Sequence, residues 1–254
     1  MIKTRYKYNT NLAKGTGLVN ENLMLIEFYK ETDTKQSFLE RCIGENILDK
    51  STEHRTKDIV NLVFFDRFWK TENVISLLKK MRDNGLSLDA LKTLFLIYTA
   101  KANLVFYDFL IYLYQSHQNT KITTVVSNRF LLHAISEEKA PSWSNAIIHR
   151  VSSYLISCAK ELNVLTPDGY LNKKIPDQLV ITYLLHELHF HGKSDMEIVH
   201  DNLWKLLGMT MQEIIMEMEK ISFRGSFIFQ YSGEILKIGW KHQNMEEFIE
   251  NECR

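Results

Sequence analysis

The sequence predicts a mainly α-helical globular protein with two helix-turn-helix units and a short C-terminal β-hairpin. Three observations carry this expectation. Apolar residues recur at three- and four-residue spacing through most of the chain, the period of a helix with one buried face. The 254 residues include only 10 Gly and 3 Pro, too few for a strand-rich fold with many turns. Strand-like alternation is confined to residues 226–239, where two short apolar runs flank Ser232-Gly233, a β-hairpin signal. At 45% hydrophobic and 24% charged residues, the composition is that of a soluble globular protein.

Residues 4–17 are polar, contain two glycines and read as an arm or loop. Gly15-Thr16-Gly17 lacks the third glycine and the preceding strand of a nucleotide fingerprint. Asn20 is the expected cap of a helix carrying Leu23 and Ile26. The first helix-turn-helix candidate follows, over about 34–66. Phe38-Leu39, Cys42-Ile43 and Ile47 form the stripe of its first helix, which is interrupted at residues 44–46. Ser51 or Thr52 then caps a second helix with Thr56, Ile59/Val60, Val63 and Phe64 inward. His54, Arg55 and Lys57 lie off that stripe, in the first turns, where base and phosphate contacts arise in such motifs.

Residues 74–82 and 89–114 are expected helices parted by Asn84-Gly85. The second is the most hydrophobic stretch of the chain. Lys101, Asn103 and Asp108 interrupt it, and no window of about 18 residues is free of charge, as a membrane-spanning helix requires. A core helix pair bent near Ala102-Asn103 is the reading these residues favour.

The second helix-turn-helix candidate covers about 127–165. Ser127-Asn128 caps a shorter helix through Glu137. Ser142 or Ser144 then caps a longer one with Ile147, Val151, Tyr154/Leu155, Cys158 and Leu162 inward. Asn145, His149, Arg150, Ser152 and Ser153 are left on the solvent side. A Pro167-Asp168-Gly169 turn and the basic pair Lys173-Lys174 follow. Two packed helices of an ordinary helical domain would give the same pattern.

Further along, 175–191 is an apolar helix ending in HELHFH, His186–His191. The zinc-protease pattern needs histidines at i and i+4; Phe190 stands there instead, so capped or buried histidines are expected and no metal. Leu203–Ile221 is helical with a break at Gly208, and an acidic helix, MEEFIENE, closes the chain. The organisation reads as an N-terminal region, 1–125, and a C-terminal region, 126–254, or as one compact domain.

Net charge is zero, but the charge is segregated. Residues 1–30 carry five Lys/Arg against two Glu, residues 50–82 eight against four, and residues 139–174 five against two, while 194–254 carry six against eleven Asp/Glu. Three basic segments merging into one face would suit nucleic acid; solvated helix surfaces with clustered charge would look the same. Cys42, Cys158 and Cys253 are odd in number, far apart and in no metal-ligand spacing, which suits a reducing cytoplasm. The N-terminus is basic with no apolar run behind it, unlike a signal peptide. No nucleophile elbow, phosphate loop, kinase motif or paired catalytic carboxylate occurs, so no enzyme and no cofactor are expected.

Four stretches resemble motifs of one family. They are Tyr8–Leu18 (YNTNLAKGTGL), Ile97–Leu110 (IYTAKANLVFYDFL), His149–Leu155 (HRVSSYL) and Lys237–Ile249 (KIGWKHQNMEEFI). All are similar to BrxA, a small component of bacterial BREX (bacteriophage exclusion) phage-defence systems. The resemblance implies a mostly helical cytoplasmic protein with two helix-turn-helix units flanked by basic loops, able to bind double-stranded DNA. Such proteins have also been assigned to the inner membrane, which the charges within 93–114 oppose. Lys101 and Gly239 stand where the family often has Arg and Ser, and the triple histidine departs from it.

Residue pattern and resemblance agree that DNA would lie on the helix after Ser51 and the helix after Ser142; the residue pattern selects His54, Arg55 and Lys57 on the first, Asn145, His149 and Arg150 on the second, and Lys173 and Lys174 as phosphate contacts beyond. The expected function is a non-catalytic, double-stranded-DNA-binding component with low sequence specificity, working with other BREX subunits and not inserted in the membrane. The alternative is an assembly subunit of the same complex, docking through its acidic C-terminal tail and Trp240.

Overall fold

A computed structural model describes residues 7–71, 73–117, 119–233 and 235–252; the start of the arm and Cys253 lie outside the described residues. The helices are α1 (Val19–Phe28), α2 (Lys35–Gly44), α3 (Glu53–Ile59), α4 (Val74–Asp83), α5 (Leu88–Ala102), α6 (Leu104–Ser116), α7 (Thr124–Ser136), α8 (Asn145–Glu161), α9 (Gln178–Phe190), α10 (Asp195–Val199), α11 (Leu203–Leu206), α12 (Met211–Phe223) and α13 (Met245–Glu252). One antiparallel hairpin, β1 (Phe227–Tyr231) with β2 (Leu236–Trp240), precedes α13, with Phe229 opposite Ile238. The expected mainly α class with a C-terminal hairpin is what the chain adopts.

The boundaries follow local chemistry. Thr34 caps α2 reciprocally with Ser37, and Thr52 and Ser144 accept the third amides of α3 and α8. Asn46 and Asp49 take left-handed conformations between α2 and α3, as short polar side chains tolerate. The α3 helix continues without a break as a π-helical segment, Val60–Trp69, a wider winding seldom sustained so long. α5 ends and α6 restarts at Asn103, bent by 118°. Among the described residues no single helix is long and apolar enough to cross a membrane.

Three local expectations are corrected. Asn20 sits inside α1, whose cap position is Leu18. Ser127 is not a cap; α7 begins at Thr124, which buries Ser127 within the helix. Ser152 does not face solvent but is buried, donating to Asn128 Oδ1 while its carbonyl accepts from the Ser127 hydroxyl. Buried hydroxyls are tolerated when so paired; small polar residues thus fill the α7–α8 contact, where apolarity alone gave no signal.

The chain parts into two compact units, Met1–Ser76 with Phe95–Lys173 and Leu77–Leu94 with Lys174–Arg254. Both helix pairs, α2–α3 and α7–α8, fall in the first unit. Its core is aromatic: Phe38 stacks on Phe64 at 5.6 Å, Phe65 meets Trp69 at 4.8 Å, and Phe68 meets Phe95 and Tyr98. Such pairs add about 0.5–1.5 kcal/mol each beyond their buried area. By sequence this unit carries 19 Lys/Arg against 16 Asp/Glu, net +3, and the second 12 against 15, net −3.

The second unit packs α9, α10, α12 and α13 around the hairpin. The HELHFH histidines serve that packing. His186 is buried, paired through Nδ1 with the Thr182 carbonyl and stacked on Phe248 at 4.4 Å. His189 stacks on Trp240 at 4.1 Å, and His191 binds the Glu187 carbonyl. Among the described residues no group of three or more His, Cys, Asp or Glu is arranged to hold a metal ion.

Candidate nucleic-acid interface

Thr56, Ile59, Val60, Val63 and Phe64 are all buried, which turns the first turns of α3 outward. His54 is largely exposed, and Lys57 is about half exposed. They do not stand alone. Lys57 pairs with Glu53 at 3.4 Å, His54 approaches Asp58 at 3.8 Å, and Lys14 pairs with the same Asp58 at 2.9 Å. Arg55 donates to the Lys14 carbonyl at 2.6 Å. The first predicted set therefore forms a mixed-charge patch.

On α8, Ile148, Val151, Leu155, Cys158 and Ala159 are buried, one position shifted from the expected stripe at its start. Asn145, His149 and Arg150 are exposed as expected. The first turn of α8 holds no acidic residue, and no ion pair among the described residues involves Arg150. After α8, Leu165 and Leu171 form an isolated antiparallel bridge around the Pro167-Asp168-Gly169 turn. Gly169 accepts from the Ile122 amide at 2.7 Å and has a φ of +92°. A β-carbon there would lie 2.9 Å from the Ile122 oxygen, so only glycine fits. Lys173 and Lys174 are exposed, and the unit boundary falls between them.

The basic segment 50–82 does not form one face. Lys79, Lys80 and Arg82 belong to the second unit. Arg67 turns inward: it is 6% exposed, donates to the carbonyls of Gly17 at 2.8 Å and Gly15 at 3.1 Å, and also binds the Thr16 carbonyl. Burial pushes its guanidinium down to about 10, so it stays charged at neutral pH.

Sequence reasoning missed this centre. The N-terminal arm is an ordered strap. Tyr8 is buried, its hydroxyl donates to Asp108 at 2.6 Å, and its amide donates to the Lys139 carbonyl. Leu12 is buried in a 3-10 turn, Asn11–Lys14, which packs on α8 and on the π-helical segment. Glu161, in the last turn of α8, accepts from the Thr16 hydroxyl at 2.5 Å and the Leu18 amide at 2.9 Å. A β-carbon on Gly17 would come within 2.7 Å of the Glu161 β-carbon. The available signal was an arginine inside the apolar run VFFDRFW and two glycines flanking one threonine. The strap ties the two helix pairs together; it does not bring their predicted cations together. Glu161 lies at the far end of α8 from Asn145, about 24 Å away at 1.5 Å per residue.

These features define a class: a mainly helical protein in which an N-terminal strap joins two helix pairs within one unit. A family model for BrxA matches residues 6–187, and the chain belongs to the BrxA family, which suggests a role in BREX phage defence. The match takes in the strap, both helix pairs and most of α9 and ends before the hairpin. Comparison with curated proteins gave no match.

Proposed function

We propose that this protein is a non-catalytic, double-stranded-DNA-binding component of a BREX phage-defence system, holding DNA mainly through phosphate contacts. We read α2–α3 and α7–α8 as helix-turn-helix units. The observation that carries this is the outer face of α8: Asn145, His149 and Arg150 are exposed around a helix N-terminus with no carboxylate in its first turn. The positive end of the helix dipole and an uncompensated guanidinium both favour a phosphate. On α3 a phosphate must compete with Glu53 and Asp58, so that patch contributes less. Neither helix offers a dense set of Arg, Asn and Gln for bidentate base reading, hence low specificity. The protein would act in the cytoplasm alongside other BREX subunits.

Substituting Arg55, Lys57, Arg150 and Lys173 together tests the reading. Loss of DNA binding and of phage exclusion, with complex assembly intact, supports it; loss of DNA binding with exclusion intact defeats it. The second reading, an assembly subunit, has one observation in its favour: Phe223, Ile228 and Ile235 of the second unit are exposed apolar side chains.

A further inference from the structure

We infer that Arg67 and Glu161 are positioning residues for DNA, locking the α3 and α8 patches at one fixed spacing through the Lys14–Leu18 strap. This rests on the reading that both helices meet DNA, and it adds that they act on the same duplex as one rigid head.

The geometry is specific. Within five consecutive residues the strap engages both helix pairs. The Lys14 carbonyl takes Arg55 and its ammonium takes Asp58, which fixes the first turns of α3. The carbonyls of Gly15, Thr16 and Gly17 take Arg67, which fixes the π-helical continuation of the same helix. Thr16 and Leu18 take Glu161, which fixes the end of α8. From Lys14 to Gly17 the backbone reaches at most about 11 Å, so the N-terminus of α3 is held close to the last turn of α8. The Asn145–Arg150 patch then stands off by the length of α8, a rigid rod. Without these bonds each pair keeps its own cap, but the polar contacts that tie α3 and its continuation to the end of α8 are lost. Fixed spacing makes the second contact intramolecular and raises affinity without any new contact.

Duplex length is the readout that tests this. A hairpin with a four-base-pair stem, about 14 Å long at 3.4 Å per pair, is shorter than the stand-off of roughly 17–24 Å along α8 and engages one patch, whereas a 20-base-pair duplex engages both. Affinity for each is measured in wild type, Glu161→Gln and Thr16→Val, with circular dichroism and thermal melting to establish folding. Glu161→Gln removes the carboxylate that serves Thr16 and Leu18; Thr16→Val removes one of its donors. The wild type is expected to gain about a hundredfold on the longer duplex beyond the number of extra registers, and both variants to lose at least about tenfold of that gain at unchanged stem affinity. A full length-dependent gain in both folded variants overturns the inference alone, as does a loss equal on both DNAs. Failure of the wild type to bind either DNA overturns the proposed function and this inference with it.

Discussion

Arg67 and Glu161 hold the same loop from two different helices: the guanidinium takes three consecutive carbonyls, and the carboxylate takes the hydroxyl and the amide that those carbonyls leave. No ion pair joins the two residues, although the Glu161 charge favours the buried guanidinium. Arg67 serves the strap's carbonyls, sharing that of Gly17 with the Asn22 side-chain amide, and Glu161 serves part-buried donors.

Arg67→Met keeps an apolar stem but leaves the Gly15 and Thr16 carbonyls without a donor, while the Gly17 carbonyl keeps only the Asn22 side-chain amide. A loss of about 3–5 kcal/mol is expected in urea denaturation, the scale for removing a buried hydrogen-bonded charge. Gly17→Ala forces a β-carbon against Glu161 and should cost about 1–3 kcal/mol. Either variant melting like the wild type would contradict the strap's role.

Stability of the second unit should depend on pH through His186. Burial pushes its imidazole from 6.5 down to about 4; the Thr182 carbonyl and Glu252 oppose this, while His242 and His189 reinforce it. Between pH 6.5 and 4 the unfolded ring takes a proton that the folded ring refuses, so stability falls as pH drops through that window. The full effect is about 3 kcal/mol at 1.36 kcal/mol per unit. Denaturant melts at pH 7 and 5 should differ in the wild type, and His186→Phe should flatten the difference.

The hairpin edges are closed by side chains. Ser222 Oγ accepts the Phe229 amide at 3.2 Å, and Asp195 accepts the Ile238 amide at 3.0 Å and the Trp240 indole at 3.4 Å. Exposed strand edges recruit other strands. Asp195→Ala should destabilise by about 1–2 kcal/mol and increase self-association on size-exclusion chromatography; an unchanged elution profile would argue that the edge stays closed without it.

The mixed charge on α3 has a directional consequence. If DNA meets this patch, Glu53→Gln frees Lys57 and removes a repelling charge, so affinity should rise severalfold at low salt and converge with the wild type as salt screens both. Weaker binding by this variant would place α3 away from the duplex.

Much of this was legible in the sequence because period and caps are local. Thr34, Thr52 and Ser144 sit where their hydroxyls reach the third amide, and the buried faces of α3 and α8 follow from i, i+3, i+4 spacing. Exposure of His54, Asn145, His149 and Arg150 followed from the same rule. What was not legible depends on contacts across long sequence separations. Arg67 counts as surface charge in any segment sum, yet its partners lie 50 to 52 residues earlier. Ser127 and Ser152 look like solvent-facing residues until each meets the other's helix. The strap reads as a polar arm because its hydrogen bonds run to partners that no local pattern identifies.

The most direct test of the central claim is a salt titration of binding to unrelated duplexes of equal length. Phosphate-dominated binding predicts similar affinity across sequences and a linear fall of log affinity with log salt, with a slope of about −0.9 per phosphate neutralised. The Arg150→Ala variant should reduce that slope by about one. No binding at low salt, or binding that ignores salt, would contradict the account and leave the helix pairs as packing elements of an assembly subunit.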